Sequence, residues 1–302
     1  MGRIGPGPAS LALAFAAGFA ALWAQEATFS VDVKLVRLMV TVKDGDGKPV
    51  GSLVKQDFVV SDSGVPQTLT LFEHHTEQPL SVALLLDTSG SAAKDLKYSI
   101  DSASRFLRAL TREGNPQDAL ALFTFNHDVT RQFGFTRNLD RFRDVSKRLK
   151  AEAGTSLYDA ICFGAEALES RDGRKVIIAV TDGGDTTSFR DYHYTLRAAH
   201  KADALIYSIV LVPVENDAGR NTGGEHALIQ FAQSTGGRAF FPTAGPALDR
   251  TFDEILRDLR TQYLIGYYPK ALPPSKDRFR KVKVDLALPG LTASTRSGYY
   301  QD

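Results

Sequence analysis

The run Leu84-Leu85-Leu86-Asp87-Thr88-Ser89-Gly90-Ser91 leads from an apolar stretch into an acid and then two hydroxyls at alternate positions. Side chains at 87, 89 and 91 can converge on one point beyond the carboxyl end of the strand that the apolar stretch implies. Further along, Gly154-Thr155-Ser156-Leu157-Tyr158-Asp159-Ala160 places another hydroxyl just before a helical pattern, and Val176 to Asp182 repeats the arrangement of strand, then aspartate. Two acids and three hydroxyls are all hard oxygen donors, which is the chemistry of a hard cation rather than of covalent catalysis. Each piece alone has a plainer reading. Ser89 or Ser91 could cap the helix that follows, Thr155 could be an N-cap, and Asp182 before Gly183-Gly184 could serve a turn. Asp185 reads as a solvated loop acid, with a supporting place near a metal as its alternative.

These residues need a sheet to hold them. From Leu80 onward, strands and helices alternate, the signature of a sheet covered by helices on both faces. Val82 to Leu86 and Val176 to Thr181 are continuous apolar runs and read as central strands. Ala119 to Phe125 and Val129 to Phe133 read as an antiparallel pair at a sheet edge. Helices are expected at about 94–110, 139–150, 156–169, 192–201, 226–235 and 246–260, with further strands at 205–211 and 238–241. Before this region, Val31 to Val42, Phe58 to Val60 and Thr68 to Phe72 read as short strands. Asp44-Gly45-Asp46-Gly47-Lys48-Pro49 and Ser61-Asp62-Ser63-Gly64 read as the turns between them. After it, 263–268, 281–288 and 292–300 return to strand character. Neither terminal set can bury a core alone, so the two are expected to pack together as one small β-sandwich.

The chain has 302 residues and a net charge of +1, with 43% hydrophobic and 24% charged residues. That is enough to fill a core, and it leaves no overall field to attract nucleic acid or an anionic membrane. Arg3, the apolar stretch Leu11 to Ala21 and Ala24 before Gln25 read as an export signal over residues 1–25. The stretch is short for a membrane span, so no span is expected beyond an uncleaved signal anchor, which Leu22 near the cleavage point leaves open. The single cysteine, Cys162, sits in an apolar helical pattern and reads as a buried small residue. The expected organisation is residues 26–78 as the first part of a β module, 79–261 as the α/β domain and 262–302 as the strands that complete the module.

Taken together, Asp87, Ser89, Ser91, Thr155 and Asp182 resemble the metal-ion-dependent adhesion site of von Willebrand factor type A (VWA) and integrin I domains. All five positions follow that family's order. The resemblance implies an α/β fold with a doubly wound, mostly parallel six-stranded sheet, with the accessory β-sandwich beside it. It also implies Mg²⁺, with Mn²⁺ or Ca²⁺ as alternatives, bound directly by Ser89 and Ser91 and by Thr155 at least in the liganded state. Asp87 and Asp182 would act directly or through water. Three weak hydroxyl donors and two acids would leave the metal electrophilic, ready for an Asp or Glu of a partner protein. Lys55-Gln56-Asp57-Phe58, Asp62-Ser63-Gly64-Val65-Pro66-Gln67, Gln262-Tyr263-Leu264-Ile265-Gly266-Tyr267-Tyr268-Pro269 and Gly298-Tyr299-Tyr300 further resemble exported bacterial VWA-related proteins of the acidobacterial type. A periplasmic or secreted binding protein is therefore the leading expectation, and a structural subunit of an envelope assembly, with the metal only stiffening loops, is the alternative. In the wider family ligand engagement shifts the last helix, here about 246–260, so a switch is a further expectation.

A metal-dependent hydrolase ranks below both. None of the six histidines lies in a recognisable catalytic motif, and no nucleophile elbow, zinc helix or phosphate loop is present. Ser89 beside Asp87 lacks a base to activate it.

Overall fold

The computed structural model describes residues 2, 34–74, 78–211, 222–243, 245–275 and 278–301. The export-signal reading and the start of the strand expected from Val31 lie outside them. The chain divides into two compact units, Met1–Lys34 and Leu35–Asp302, and the elements below belong to the second. It opens with strands β1 (Val36–Lys43), β2 (Phe58–Asp62), β3 (Val65–Gln67) and β4 (Leu69–Glu73). The α/β stretch follows as β5 (Leu80–Asp87), α1 (Ala93–Glu113), β6 (Ala119–Phe125), β7 (Val129–Thr136), α2 (Leu139–Ser146) and α3 (Leu157–Glu169). It continues as β8 (Arg174–Thr181), α4 (Tyr192–Ala202), β9 (Ala204–Val210), α5 (Thr222–Thr235), β10 (Ala239–Phe240) and α6 (Pro246–Arg260). Strands β11 (Tyr263–Tyr267), β12 (Phe279–Leu286), β13 (Thr292–Ser294) and β14 (Gly298–Tyr300) close the chain.

The central sheet has six strands in the order β10-β9-β8-β5-β6-β7. Every pairing is parallel except β6 with β7 at the edge. Strand β5 is buried along its whole length, and its side chains divide by the twofold period of a strand. Val82, Leu84 and Leu86 enter one apolar cluster with residues of α1 and α6. Ala83 and Leu85 enter another with residues of α3, α4 and α5. An apolar run with no polar alternation is what a strand covered on both faces requires. Trimming Leu84 or Leu85, both fully buried, to alanine would cost about 2–5 kcal/mol.

Two four-stranded sheets, β13-β1-β11-β4 and β14-β12-β2-β3, stand beside this unit, and each mixes strands from both ends of the chain. Their inner faces share one core, in which Leu38, Val40, Ile265 and Tyr267 from one sheet meet Phe58, Val60, Val282 and Val284 from the other. The fold is therefore the expected α/β architecture with a small accessory sandwich.

Three expectations need correction. Asp62 does not sit in a turn: it ends β2, is fully buried, and accepts hydrogen bonds from the Tyr267 and Tyr299 hydroxyls, both at 2.8 Å. The turn is confined to Ser63-Gly64, both with positive φ. The strand expected over 292–300 is two strands in different sheets, broken at Arg296, whose guanidinium bonds Asp203 and the Arg37 carbonyl. The helix expected over 139–150 stops at Ser146, and the chain turns there with Arg148 N–H donating to Val145 O. Asp44 holds its turn through Oδ1, which accepts from the amides of Asp46 and Lys48. Among the described residues no helix is long and apolar enough to cross a membrane.

Candidate functional site

From β5 the chain goes first to β6 on one side and later to β8 on the other, so strand order reverses between β5 and β8. A crevice opens beyond the carboxyl ends of strands at such a point, and ligands of open α/β sheets bind there. Asp87 is the last residue of β5, and Asp182 directly follows β8.

Asp87 is almost wholly buried. Its Oδ1 accepts from the Ser89 amide at 2.7 Å and its Oδ2 from the Thr181 hydroxyl at 2.6 Å. Burial pushes its carboxyl above the usual range, the Thr181 and Ser89 hydrogen bonds oppose that, and the negative charge of Asp182 adds to it. The Ser89 and Ser91 hydroxyl oxygens lie 3.2 Å apart, Ser89 buried and Ser91 exposed. Asp87, Ser89 and Ser91 thus form one hydrogen-bonded group, with Asp182 close enough to act on Asp87 by charge.

Thr155 comes to the same rim by a different route. The bridge between Ser89 and Glu152, with Glu152 N–H donating to Thr88 O at 2.9 Å, ties its loop to the end of β5. Gly154 makes this approach feasible: its φ is +86°, and a Cβ there would meet His127 at 3.0 Å. The Thr155 amide donates to the Thr186 hydroxyl at 3.0 Å, and its carbonyl accepts from the amides of Thr186 and Thr187. Among the described residues, no hydrogen bond joins the Thr155 hydroxyl to the other four side chains. The loop after Asp182 is backed from the other side by α5, where a Cβ on Gly224 would fall 2.2 Å from the Gly184 Cα.

Asp185 is engaged elsewhere. Its Oδ1 accepts from the Tyr158 amide at 3.0 Å and from the Ser188 hydroxyl, so it caps the first turn of α3. Two residues that matter here carried no sequence signal. Thr181, which orients Asp87, looks like one more β-branched residue of a buried strand. Asp159, which clamps the loop at 189–190, looks like an ordinary acid in the first turn of a helix. Cys162 is buried, its sulfur 3.4 Å from the Thr195 hydroxyl, and burial raises its thiol pKa.

The donor set suits a small hard dication. It contains only oxygen, and it sets a buried carboxylate beside a second acid, an arrangement whose charge a cation would relieve. Among the described residues no three His, Cys, Asp or Glu side chains are grouped to hold a metal. A cation at this rim therefore depends on the hydroxyls of Ser89, Ser91 and Thr155.

The profile of the von Willebrand factor type A domain family matches residues 82–184, from within β5 to the loop after β8. Among solved structures, the chain resembles the conserved hypothetical protein BatB from Bacteroides thetaiotaomicron, at 19% identity over 60% of this chain and 100% of that one, with a TM-score of 0.47. It also resembles the vWF domain of the type V pili tip protein Mfa5 from Porphyromonas gingivalis, at 24% identity over 36% and 39% of the two chains (TM-score 0.34). A third likeness is to the PilB minor pilin from Streptococcus sanguinis, at 15% identity over 61% and 62% (TM-score 0.46). The chain spans less than two thirds of the Mfa5 and PilB chains, and at these scores none of the three likenesses bears on function. No curated protein sequence matches the chain significantly. The profile match over residues 82–184 and the six-stranded sheet with its switch point at β5 and β8 agree, and this part of the chain has the fold of a von Willebrand factor type A domain.

Proposed function

We propose that this is an exported binding protein that captures a partner protein through a divalent cation, Mg²⁺ first, with Mn²⁺ or Ca²⁺ able to replace it. Ser89, Ser91 and Thr155 would hold the cation with their hydroxyls, and Asp87 and Asp182 would balance its charge directly or through water. The observation that carries the reading is the buried Asp87 carboxylate beside Asp182 at the switch point, with two serine hydroxyls 3.2 Å apart next to it. When bound, the cation supplies a Lewis-acidic position for an Asp or Glu side chain of the partner.

The chain's own residues prepare that position. Thr181 and the Ser89 amide hold both oxygens of Asp87, which fixes the carboxylate's rotation beside the paired Ser89 and Ser91 hydroxyls. The rim loops are already tied by Glu152 to Thr88 and by Thr155 to Thr186 and Thr187. Export rests on the N-terminal residues and on the resemblance of the flanking strands to exported bacterial proteins.

The test is calorimetric titration of Mg²⁺ and Mn²⁺ into the metal-stripped chain, beside a folded Asp87→Ala variant. Saturable one-site binding that the variant loses is the expected result. A wild-type protein that binds neither ion would remove the reading.

A further inference from the structure

Phe189 is 95% exposed, the most exposed of the large apolar side chains described. A single exposed phenylalanine needs no explanation on its own. What sets this one apart is how firmly the backbone around it is held. The Phe189 amide donates to Asp159 Oδ2 at 2.9 Å, and the Arg190 amide to Asp159 Oδ1 at 3.2 Å. The Arg190 guanidinium also reaches Asp159 Oδ1, while the Asp159 amide donates back to the Ser188 hydroxyl. Asp159 is itself buried. The ring is thus presented to solvent by a loop tied on both sides of it.

Its place is as specific as its rigidity. The Thr187 amide donates to the Thr155 carbonyl at 3.3 Å, and two Cα steps cover at most about 7.6 Å. Phe189 therefore lies two residues from the backbone tie to Thr155, one of the candidate cation-site residues. Past it, the Arg190 guanidinium lies 5.2 Å from the Phe163 ring and 5.8 Å from the Tyr194 ring, both substantially exposed, so the next surface down α3 and α4 is aromatic and capped by a cation.

Resting on the cation-capture reading above, we infer that Phe189 is the apolar anchor of the partner-binding surface. The partner is an extended segment that carries a large apolar side chain two or three positions from the acid it offers to the cation. The spacing is scaled to the span of at most about 7.6 Å between Thr187, which is tied to Thr155, and Phe189; a strand rise of about 3.3 Å per residue covers it in two or three steps. An anchor ordered before binding adds affinity without the cost of ordering a loop.

The experiment is selection from a displayed library of random peptides on the full chain, with Mg²⁺ and with chelator. The bait is wild type, Phe189→Ser, Phe189→Tyr or Asp87→Ala. Wild type should enrich peptides in which an acid is followed or preceded, two or three positions away, by a large apolar residue. Phe189→Ser should keep the Mg²⁺-dependent preference for the acid and lose about tenfold of the apolar preference, and Phe189→Tyr should keep both. An apolar preference unchanged in Phe189→Ser, or absent in wild type, overturns this inference and leaves cation capture standing. Acid enrichment that persists in chelator or in Asp87→Ala overturns the capture reading itself. A wild-type selection with no enrichment overturns both.

Discussion

Asp62 and Asp87 each end a strand and are buried, but in different surroundings. Asp62, in the sandwich, accepts from the hydroxyls of Tyr267, Tyr299 and Ser63. The charge is spent inside the protein, where it ties a strand from the start of the chain to two from its end. Asp87, at the top of the α/β sheet, accepts from the Ser89 amide and from the Thr181 and Ser89 hydroxyls, and a second acid acts on it by charge. Burial makes the first carboxylate a structural knot and leaves the second with charge to offer. A buried acid is thus not a sign of function by itself; what matters is whether its neighbours have already answered it.

The contrast can be broken experimentally, and the largest effect should come from the sandwich. Asp62→Ala strands the buried Tyr267 hydroxyl and the half-buried Tyr299 hydroxyl and should cost about 4 kcal/mol of stability in urea unfolding; a loss under about 1 kcal/mol would mean that the knot is not structural. A pH scan probes a third buried group. His200 is packed against Phe279 and Tyr300, and burial first, then the nearby Arg296, holds its pKa down to about 4. The unfolded chain takes up a proton near pH 6.5 that the folded one refuses until about pH 4. Stability should therefore be unaffected by this group above pH 6.5 and fall by roughly 3 kcal/mol as pH drops toward 4. His200→Phe keeps a ring in place and should flatten that slope.

The Asp87 side of the comparison yields smaller, conditional effects. Mg²⁺ at a hundred times its dissociation constant should stabilise wild type by about 2.7 kcal/mol and Asp87→Asn not at all, read as thermal shifts with and without chelator. Without metal, Asp87→Asn should change stability by no more than about 1 kcal/mol, and in the stabilising direction, because it removes a charge that burial and Asp182 both disfavour. Metal-free destabilisation as large as that of Asp62→Ala would erase the distinction. Smallest of all, Phe189→Ser should leave unfolding unchanged within about 0.5 kcal/mol, since the side chain it removes is already in water.

What was legible in the sequence follows the same division. The strand around Val82 to Leu86 and the helix at 246–260 could be read because their neighbours in sequence carry the pattern, a continuous apolar run in one case and an amphipathic period in the other. The candidate oxygen donors could be read because acid and hydroxyl types recur at strand ends. Asp62 was read as a turn residue because Ser-Asp-Ser-Gly has turn composition, and the tyrosines that make it a strand end lie far away in the chain. Thr181 and Asp159 were invisible for a related reason. Each is an ordinary residue of its element, and only the packed loops reveal that one orients Asp87 and the other fixes Phe189.

The sandwich has a further consequence in time. Asp62 and Tyr267 are 205 residues apart in sequence, and β1 pairs with β11 and β13 rather than with any strand made soon after it. At roughly 5–20 residues per second of synthesis, β1 and β4 wait about 10 to 40 s for their partners to be made, while β2 can pair at once with β3. During that interval the backbone edges of β1 and β4 lack their β11 partner, the condition under which strands join the wrong neighbour. The intervening α/β domain can assemble from its own local units meanwhile, so it is the part that sets the order of events. The sandwich closes last, as the clasp that both ends of the chain must reach.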